Sequence, residues 1–476
     1  MQLQIDLWPF NGEVPREVQL RALAAGKNKE GFAYFMRQRL GKTWVAYAEY
    51  INLRSENKVD WCVIICPNSL KDQWVEAIEM VDQFTPILVY RANNKSKTDY
   101  FFFKNQTGGV FIINYESVKA FMSDKGWEKI NIFKTFIVAD ESTKIKDPTA
   151  KMTKACHEFA SLCPYKRILT GKPTANSNAD MWAQLKFINA TNRNFYQHKY
   201  YFCVMGGYQG RTVVQNINTE ILQAEIAPHC YIAEDKYIKG FEKIYEPIRR
   251  ITLTEEQQKQ YKQMEDELIT EIANGVKITA PIALTKYLRL QQISSGIAGD
   301  PDGTQHNIIS PVNNPRIIAI RDILDNDIDH KVVISCRFRL SIDNLQKLLI
   351  ADGYKVSILI GNMGKEIEEQ KKLFNEGENN ILIGQEQVLA YGHTLCATDE
   401  NPCDSIIFYE NSFSLLNRAQ VESRTEKLGR EKPISYYDFY ASKMDRYIIE
   451  ALRRKEDAAL ALMGYPRSYG IRPDPL

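Results

Sequence analysis

The sequence predicts an α/β fold with two lobes, each built on a parallel sheet, and a helical brace between them. Three observations support this prediction: short apolar runs, helical stretches between those runs, and a middle segment of different character. Near-continuous apolar strands that alternate with helices are typical of parallel sheets covered on both faces. Two such blocks, one on each side of the middle segment, indicate two lobes.

Apolar runs mark the predicted strands of each lobe. In the first block the runs cover residues 61–66, 109–114, 135–140 and 166–170. In the second block they cover residues 331–336, 354–360, 380–384 and 405–410. The chain has 476 residues, enough for two or three domains. We therefore expect one lobe at residues 1–190 and the other at residues 301–476.

The middle segment, residues 191–300, is predicted to be a helical insertion and brace. Its first part is rich in Tyr, Phe, Lys and Arg and lacks a clear strand pattern. Thr254 with Gln257 three residues later is a capping-box signature for the start of a helix. An apolar face follows at spacings of three and four, formed by Tyr261, Met264, Leu268 and Ile272. A second helix is predicted at about 281–294.

The composition and charge of the chain limit the classes of function that it can have. Apolar residues make up 44% of the chain and charged residues 25%, which is ordinary for a globular protein. The net charge of +2 gives no basic tail, but Lys and Arg can still line a nucleic-acid cleft. No apolar run reaches the roughly 18 to 20 residues of a membrane span, and the N-terminus lacks a signal-peptide pattern. Nine cysteines without a CxxC pair favour free thiols in a reducing cytoplasm.

A phosphate-loop motif, Gly41-Lys42-Thr43, stands at the start of an amphipathic helix, directly after Leu40. Backbone N–H groups of such a loop and helix N-terminus hold phosphate oxygens. Lys42 would reach the β and γ phosphates of ATP, and Thr43 would place its hydroxyl on Mg²⁺. The full pattern requires a glycine where Met36 stands, so a chance Gly-Lys-Thr at a surface helix is the alternative for this motif alone.

An acidic pair, Asp140-Glu141, directly follows an apolar run. A carboxylate at the carboxyl end of a strand points into the crevice where α/β sheets bind ligands. Asp140 would hold Mg²⁺ through water, and Glu141 would orient or deprotonate the attacking water. The alternative is a strand that ends in a solvated acidic pair. Lys42 upstream strengthens the interpretation of both motifs as one nucleotide site.

Further motifs occur in a fixed order along the chain. In the first half they are VPREVQLRAL (14–23), GKT (41–43), ICPNSLKDQW (65–74), INYESV (113–118), DEST (140–143) and LTGKP (169–173). In the second half they are ITLTEEQQKQYKQM (251–264), VVISCRFRLSIDNL (332–345), ILIGQEQVLAYGHTL (381–395) and QVESRTEKLG (420–429). This ordered set resembles superfamily-two helicase-type ATPases, and within them the Snf-type group of double-stranded DNA translocases. The resemblance covers roughly residues 10–455.

The resemblance implies two RecA-like lobes and assigns roles to named residues. The second lobe would carry motifs IV, V and VI, which residues 332–345, 381–395 and 420–429 resemble in that order. Gln19 resembles the glutamine that reads adenine, and Gly392 lies in the motif V segment and joins the ATP-binding set. The catalytic residues that complete the ATP site from the second lobe would be Gln420, Arg424 and Lys427. The nucleic-acid contacts would be Pro67, Ser69, Thr174 and Arg337.

Three positions depart from the resembled motifs. Arg39 replaces a usual glycine beside the phosphate loop, and Thr143 replaces the histidine of DEAH. Lys427 occupies the place of the second motif VI arginine. A lysine keeps the positive charge but loses the planar fork that pairs with phosphoryl oxygens, so we expect slow hydrolysis. Alternatively, Arg424 or Arg430 acts as the arginine finger.

The sequence thus favours a nucleic-acid-stimulated ATPase that uses ATP and Mg²⁺ to move along or remodel duplex DNA. One alternative is a strand-separating helicase that acts on DNA or RNA. A second alternative, favoured by Lys427, is a slow-hydrolysing ATP switch that binds nucleic acid and recruits a partner. A protein partner that directs the motor is also expected, whereas a membrane partner is not. The compact motor indicates a bacterial or bacteriophage source and a location in the cytoplasm of a prokaryotic cell or phage-infected host.

Overall fold

The fold is given by a computed structural model. It describes residues 5–10, 12–91, 106–206, 212–233, 243–273, 280–300, 302–328, 330–364, 366–390, 394–398, 400–426 and 432–464. The chain divides into two compact units: Met1–Lys239 with Lys455–Arg467, and Gly240–Arg454 with Ser468–Leu476. Within the described ranges, no helix is both long enough and apolar enough to cross a membrane.

The first unit is built on a parallel sheet. Its strands are β1 (Gly31–Phe35), β2 (Trp61–Cys66), β3 (Ile87–Val89), β4 (Gly109–Asn114), β5 (Thr135–Asp140), β6 (Tyr165–Thr170), β7 (Cys203–Gly206), β8 (Thr212–Asn216) and β9 (Cys230–Ile232). Seven of them form one sheet in the order β3-β4-β2-β5-β6-β1-β9, with parallel pairing throughout. The other two, β7 and β8, pair with each other in antiparallel fashion.

Helices cover both faces of this sheet. They are α1 (Glu17–Gly26), α2 (Lys42–Ser55), α3 (Lys71–Glu79), α4 (Tyr115–Ser123), α5 (Lys151–Leu162), α6 (Met181–Phe187), α7 (Phe195–Phe202) and α8 (Thr219–Ile226). Alternate residues of the strands enter two separate apolar clusters, one on each face. All six residues of β2 are buried for this reason, which explains its continuous apolar sequence.

The second unit repeats the plan with another parallel sheet. Its strands are β10 (Lys243–Tyr245), β11 (Arg249–Arg250), β12 (Ile297–Gly299), β13 (Gln305–Asn307), β14 (Lys331–Cys336), β15 (Val356–Leu359), β16 (Ile381–Gln385), β17 (Cys403–Phe408) and β18 (Ile434–Tyr440). The sheet order is β10-β18-β17-β14-β16-β15, and β11 also pairs with β18. Strands β12 and β13 form a separate antiparallel pair.

The helices of the second unit complete the chain. They are α9 (Glu255–Ala273), α10 (Ala280–Ser294), α11 (Pro315–Asn326), α12 (Arg339–Ala351), α13 (Glu366–Asn375), α14 (Glu386–Leu389), α15 (Leu415–Ser423) and α16 (Lys443–Met463). The last of these, α16, is a single helix whose residues up to Arg454 belong to the second unit. From Lys455 onward, its residues belong to the first unit.

The predicted α/β class with two parallel-sheet lobes is confirmed. The eight predicted strands correspond to β2, β4, β5, β6, β14, β15, β16 and β17. In the main sheets the short strands β3, β9, β10 and β11 were not predicted, and neither were two longer strands, β1 and β18. The first, GFAYF, has no β-branched residue, and the second, ISYYDFY, mixes polar and aromatic residues. Both are held by pairing with central strands, which outweighs their weak local pattern.

The helices of the middle segment are also confirmed. Gln257 Oε1 accepts a hydrogen bond from the backbone N–H of Thr254 at 3.1 Å, and the Thr254 hydroxyl accepts one from the N–H of Gln257 at 3.3 Å. This capping box starts α9, whose Tyr261 packs in a cluster with residues of α10, α15 and α16. The compact units separate between Lys239 and Gly240, so α9 and α10 group with the second unit. The boundaries at 190 and 300 stay a prediction.

Candidate nucleotide site

Three adjacent strands of the first unit carry the candidate site at their carboxyl ends. Strand β6 lies between β1 and β5 in the sheet. The phosphate-loop motif follows β1, the LTGKP segment ends β6, and the acidic pair ends β5. The carboxyl edge of a parallel sheet is where α/β proteins bind ligands. The fold therefore brings together three motifs that lie far apart in sequence.

The glycine of the phosphate loop is required by its geometry. Gly41 has φ +82° and ψ 37°, the left-handed conformation that glycine adopts without a steric penalty, and α2 begins at Lys42. A Cβ added to Gly41 would lie only 2.2 Å from Nε2 of Gln19. Gln19 is itself fixed, because its Oε1 accepts a hydrogen bond from the N–H of Arg16 at 2.8 Å. The structure thus places Gln19 directly against the phosphate loop.

The side chain of Lys42, the first residue of α2, reaches back across the loop that precedes it. Its Nζ donates a hydrogen bond to the carbonyl oxygen of Met36 at 2.9 Å. Met36 stands where the full motif has glycine, and its side chain is buried in the core on one face of the sheet. Burial raises the pKa of the Asp140 carboxyl, and the positive charge of Lys42 partly opposes that rise. The charge of the phosphate-loop lysine therefore affects the ionisation of the first carboxylate of the acidic pair.

Asp140 accepts three hydrogen bonds, two at its carboxylate and one at its backbone carbonyl. Its Oδ2 accepts a bond from the indole Nε1 of Trp74 at 2.9 Å, and its Oδ1 accepts one from the N–H of Glu141 at 2.9 Å. The Tyr115 hydroxyl donates to the backbone carbonyl of Asp140 at 2.7 Å. The roles of Trp74 and Tyr115 were not predicted. Both residues lie in motif-like segments, but nothing in the sequence indicates their hydrogen-bond partner.

Glu141 has a strained backbone. Its φ of +51° and ψ of 52° place a non-glycine residue in the left-handed region, which costs roughly 1–2 kcal/mol. Such strain persists only where the surroundings fix it, and it is concentrated at functional sites. Two residues on, Thr143 is buried, and its hydroxyl has no hydrogen-bond partner among the residues that the structure describes. The backbone of the turn after β5 is thus strained directly next to Asp140, the candidate carboxylate ligand for Mg²⁺.

The turn after β5 and the loop after β6 are joined by one buried amide. Gln184 of α6 accepts a hydrogen bond from the Ser142 hydroxyl at 2.7 Å and donates one from Nε2 to the carbonyl of Pro173 at 2.6 Å. Asp180 adds to this connection, because its Oδ2 accepts the N–H groups of residues 175 and 176. The sequence analysis missed Gln184, since a single glutamine in a short helix carries no motif signal.

Arg39, the first departure from the resembled motifs, also has a strained backbone. Its φ is +66°, a conformation that explains why a glycine is usual at this position. Its carbonyl oxygen accepts a hydrogen bond from Nη1 of Arg16 at 2.7 Å. The loop is therefore tied to the residue that precedes α1.

The predicted nucleic-acid contacts of the first unit lie at two loops. Pro67 is buried directly after β2, and Ser69 is exposed in the short turn before α3. Thr174 is only 1% exposed, and its hydroxyl has no hydrogen-bond partner in the part of the chain that the structure describes. A phosphate contact by Thr174 would require its loop to open. All three contacts stay predictions.

Arg337, the predicted nucleic-acid contact of the second unit, follows β14. Its backbone N–H donates to Oε2 of Glu410 at 2.8 Å, and its guanidinium donates to the side chain of Gln291. Burial lowers the pKa of Arg337. The side chain is thus half-buried in a polar cluster at the carboxyl edge of the second sheet, and its contact with nucleic acid stays a prediction.

Two of the predicted catalytic residues of the second unit, Gln420 and Arg424, lie at α15. Gln420 is buried in this helix, and Arg424 caps its C-terminus and donates from Nη2 to the carbonyl of Ala390 at 2.8 Å. Arg424 therefore contacts the segment that resembles motif V. Lys427 and Gly392 lie outside the described residues. The roles of all four residues stay predictions.

The two parallel sheets, with the loop and the acidic pair at the edge of the first, define an α/β protein with a phosphate-loop motif. A family profile described as "SNF2-related domain" matches residues 38–296, more than half of the chain. The chain therefore belongs to the SNF2-related family, which confirms the resemblance to the Snf-type group.

Curated relatives include proteins much longer than this chain. "Protein CHROMATIN REMODELING 5" of Arabidopsis thaliana is 21% identical over 83% of this chain, and "DNA excision repair protein ERCC-6" of Homo sapiens is 23% identical over 79%. The chain spans only 23% and 26% of the lengths of these two relatives. "Putative protein p41" of Acyrthosiphon pisum secondary endosymbiont phage 1 is 22% identical over 74% of this chain and 76% of its own length.

A solved structure similar to this chain is the "Sulfolobus solfataricus SWI2/SNF2 ATPase core in complex with dsDNA". It is 19% identical and covers 95% of this chain and 94% of its own, with a TM-score of 0.43.

Proposed function

We propose that the protein is a nucleic-acid-stimulated ATPase that hydrolyses ATP to move along or remodel duplex DNA. One observation carries the proposal: the phosphate-loop motif and the Asp140-Glu141 pair lie at the same sheet edge, where the charge of Lys42 acts on Asp140. Membership of the SNF2-related family supports the use of ATP. The reaction class follows from a phosphate-binding loop beside a carboxylate pair.

The residues of the loop fit a triphosphate with Mg²⁺. Gly41 leaves no room for a side chain beside Gln19, and α2 begins at Lys42, so the N-terminal end of this helix faces the loop. Thr43 and Asp140 would hold Mg²⁺, which supplies positive charge to the phosphate oxygens when it is bound. Glu141 would take a proton from the attacking water, and Gln19 would contact adenine. These roles match the hydrogen-bond donors and acceptors that each side chain has.

The remaining roles follow from the resemblance. Leu40 and Gly392 would complete the ATP-binding set, and the catalytic residues of the second unit would be Gln420, Arg424 and Lys427. The names of two relatives, one in chromatin remodelling and one in DNA excision repair, support duplex DNA as the partner. The contacts with its backbone would be made by Pro67, Ser69, Thr174 and Arg337. We also propose a cytoplasmic location and a protein partner that directs the motor.

The test is ATP turnover measured without nucleic acid and then with single-stranded DNA, duplex DNA and RNA. We expect duplex DNA to stimulate turnover more than either other polymer. Stimulation by RNA with none by duplex DNA would favour the strand-separating helicase. ATP binding without turnover in any condition would favour the ATP switch. Lys42→Ala serves as the negative control, because it removes the positive charge that would contact the phosphates of ATP.

A further inference from the structure

Helix α3 connects an exposed loop to the interior of the first unit. The loop is the short turn after β2, where Ser69 is exposed and is a proposed nucleic-acid contact, and it leads into α3 without a break. Lys71, Trp74 and Ile78 follow at spacings of three and four and form the buried face of the helix. Because backbone hydrogen bonds make a helix stiff, a displacement of the loop also displaces these side chains.

Trp74 places its only polar atom on the candidate metal carboxylate. The residue is 2% exposed, and its Nε1 donates a hydrogen bond to Oδ2 of Asp140 at 2.9 Å. The other carboxylate oxygen, Oδ1, accepts the N–H of Glu141. A carboxylate has about four acceptor positions, so both oxygens keep one for a metal-bound water. The arrangement therefore fits the Mg²⁺ role proposed for Asp140.

A second helix contacts the same residue. Tyr115, the first residue of α4, is 1% exposed, and its hydroxyl donates to the backbone carbonyl of Asp140 at 2.7 Å. Buried Lys71 joins the two helices, because its Nζ donates to the carbonyl of Tyr90 and to Oδ1 of Asn114, both at 2.7 Å. Asn114 directly precedes α4. The starts of α3 and α4 are thus linked to each other and to Asp140 by hydrogen bonds within the first unit.

Hydrogen-bond donors around a metal-binding side chain set its orientation. The loss of such a partner typically lowers metal affinity roughly tenfold to hundredfold. Of the two donors to the Asp140 carboxylate, the N–H of Glu141 belongs to the next residue of the chain and moves with Asp140. Trp74 belongs to a different element. The orientation of the carboxylate therefore depends on where α3 holds the indole ring.

We propose that Trp74 is a positioning residue through which DNA bound at the loop after β2 controls the carboxylate of Asp140. DNA would displace α3, and the indole N–H would then turn the carboxylate into the orientation that holds Mg²⁺. The result is a higher affinity for Mg²⁺ with ATP and faster turnover, without direct contact of Trp74 with DNA or nucleotide. This inference rests on the proposed function, because it explains how the same site responds to DNA.

The test compares the Mg²⁺ requirement of nucleotide binding with and without duplex DNA. Binding of a fluorescent, non-hydrolysable ATP analogue to the full chain is titrated with Mg²⁺, so this readout does not depend on turnover. In the unmodified protein, duplex DNA should lower the half-saturating Mg²⁺ concentration by roughly fivefold or more, the usual size of coupling between two sites. In Trp74→Phe, which keeps an aromatic ring but loses the N–H, this DNA effect should fall below about twofold.

Two further readouts separate positioning from a general loss of structure. The DNA-stimulated kcat of Trp74→Phe should fall roughly tenfold, whereas its affinity for duplex DNA, measured by fluorescence anisotropy, should stay unchanged because the indole is buried. Trp182→Phe is the matched control. Nε1 of Trp182 donates to the carbonyl of Arg193 at 2.8 Å, so this variant loses an equivalent hydrogen bond that does not involve Asp140. It should leave the DNA effect on the Mg²⁺ requirement unchanged.

A milder variant keeps the test decisive if Trp74→Phe does not fold. Tyr115→Phe removes only the hydroxyl that bonds the backbone of Asp140 and should reduce the DNA effect in the same direction. Its control is Tyr50→Phe, which removes a hydroxyl that donates to another backbone carbonyl at 3.0 Å.

Three results overturn the inference. The first is an undiminished DNA effect on the Mg²⁺ requirement in Trp74→Phe or, if that variant does not fold, in Tyr115→Phe. The second is an equal loss of the effect in the matched control. The third is an unmodified protein whose turnover is stimulated by DNA without any change in its Mg²⁺ requirement. By contrast, an unmodified protein whose turnover does not respond to DNA overturns the proposed function itself.

Discussion

Residue by residue, the candidate site combines a left-handed glycine with a strained glutamate. Gly41 and Glu141 both have positive φ, and each stands next to a residue with an assigned role, Lys42 and Asp140. The glycine is predictable, because it belongs to a local motif. The strain at Glu141 is not, because it arises from the turn after β5 and from the packing around it.

Lys42→Ala should abolish ATP turnover while leaving the fold intact. The side chain contributes charge toward the ligand, and its Nζ donates a hydrogen bond to the backbone carbonyl of Met36 within the loop rather than packing in the core. Turnover and thermal unfolding are measured together, with exposed Lys119→Ala on α4 as the matched control. Full ATPase activity in purified Lys42→Ala protein would show that the loop does not bind phosphates.

The two carboxylates should behave differently when each is replaced by its amide. Glu141→Gln should keep ATP and Mg²⁺ binding but stall hydrolysis, because an amide accepts a hydrogen bond yet cannot take the proton. Asp140→Asn should instead weaken Mg²⁺ dependence, since it removes the charge that would hold the ion. Metal titrations of nucleotide binding and turnover separate the two. Identical titration curves would contradict the division of roles.

Glu386 predicts a pH dependence of stability in the second unit. Burial raises the pKa of its carboxyl from the ordinary 4.5 to about 7, although the Ser412 hydroxyl and the charges of Arg337 and Arg418 oppose the rise. The folded protein therefore binds a proton more tightly than the unfolded chain. The resulting stability is fully present below about pH 4.5 and is lost as pH rises through about 7.

Glu386→Gln should remove this dependence, because the amide stays neutral. The variant should gain stability over the unmodified protein as pH rises from about 5 to about 8, by at most about 3 kcal/mol. Urea unfolding at several pH values measures the difference, and exposed Glu369→Gln on α13 is the control. A difference that stays constant across this pH range contradicts the assignment.

At the scale of elements, the position of α6 decides how the loops of the site are connected. Gln184 bonds Ser142 and Pro173 at once, so one side chain spans the turn after β5 and the loop after β6. Gln184→Leu should leave the Ser142 hydroxyl and the Pro173 carbonyl without this partner, which costs about 1–3 kcal/mol of stability. Urea unfolding measures the loss. Exposed Gln263→Leu on α9 should change stability far less, and equal losses in both variants would refute the bridging role.

The elements show what local sequence can and cannot predict. Strands β2, β4 and β5 begin and end where their apolar runs do, because both faces of the sheet are covered. The Lys42 and Asp140 assignments follow from local motifs in the same way. By contrast, Trp74 bonds Asp140 across 66 positions of the chain, and Ser142 bonds Gln184 across 42. Such contacts depend on the strand order, which no local pattern specifies.

For the molecule as a whole, a net charge of +2 implies that DNA binding depends on local groups rather than on an overall basic field. Phosphate contacts release counterions, so the affinity for duplex DNA should fall at least about tenfold between 50 and 200 mM salt. Fluorescence anisotropy with a labelled duplex measures this, and Arg337→Ala should reduce the salt slope by about one. An affinity that does not respond to salt contradicts phosphate-backbone binding.

The most direct test of the proposed motor is displacement of a third strand from a DNA triplex. A protein that moves along duplex DNA must remove the third strand in its path, whereas an ATP switch that only binds DNA has no reason to do so. The account predicts displacement that requires ATP, is lost in Lys42→Ala and Glu141→Gln, and leaves the duplex strands paired. ATP turnover stimulated by duplex DNA with no displacement of the third strand would contradict it.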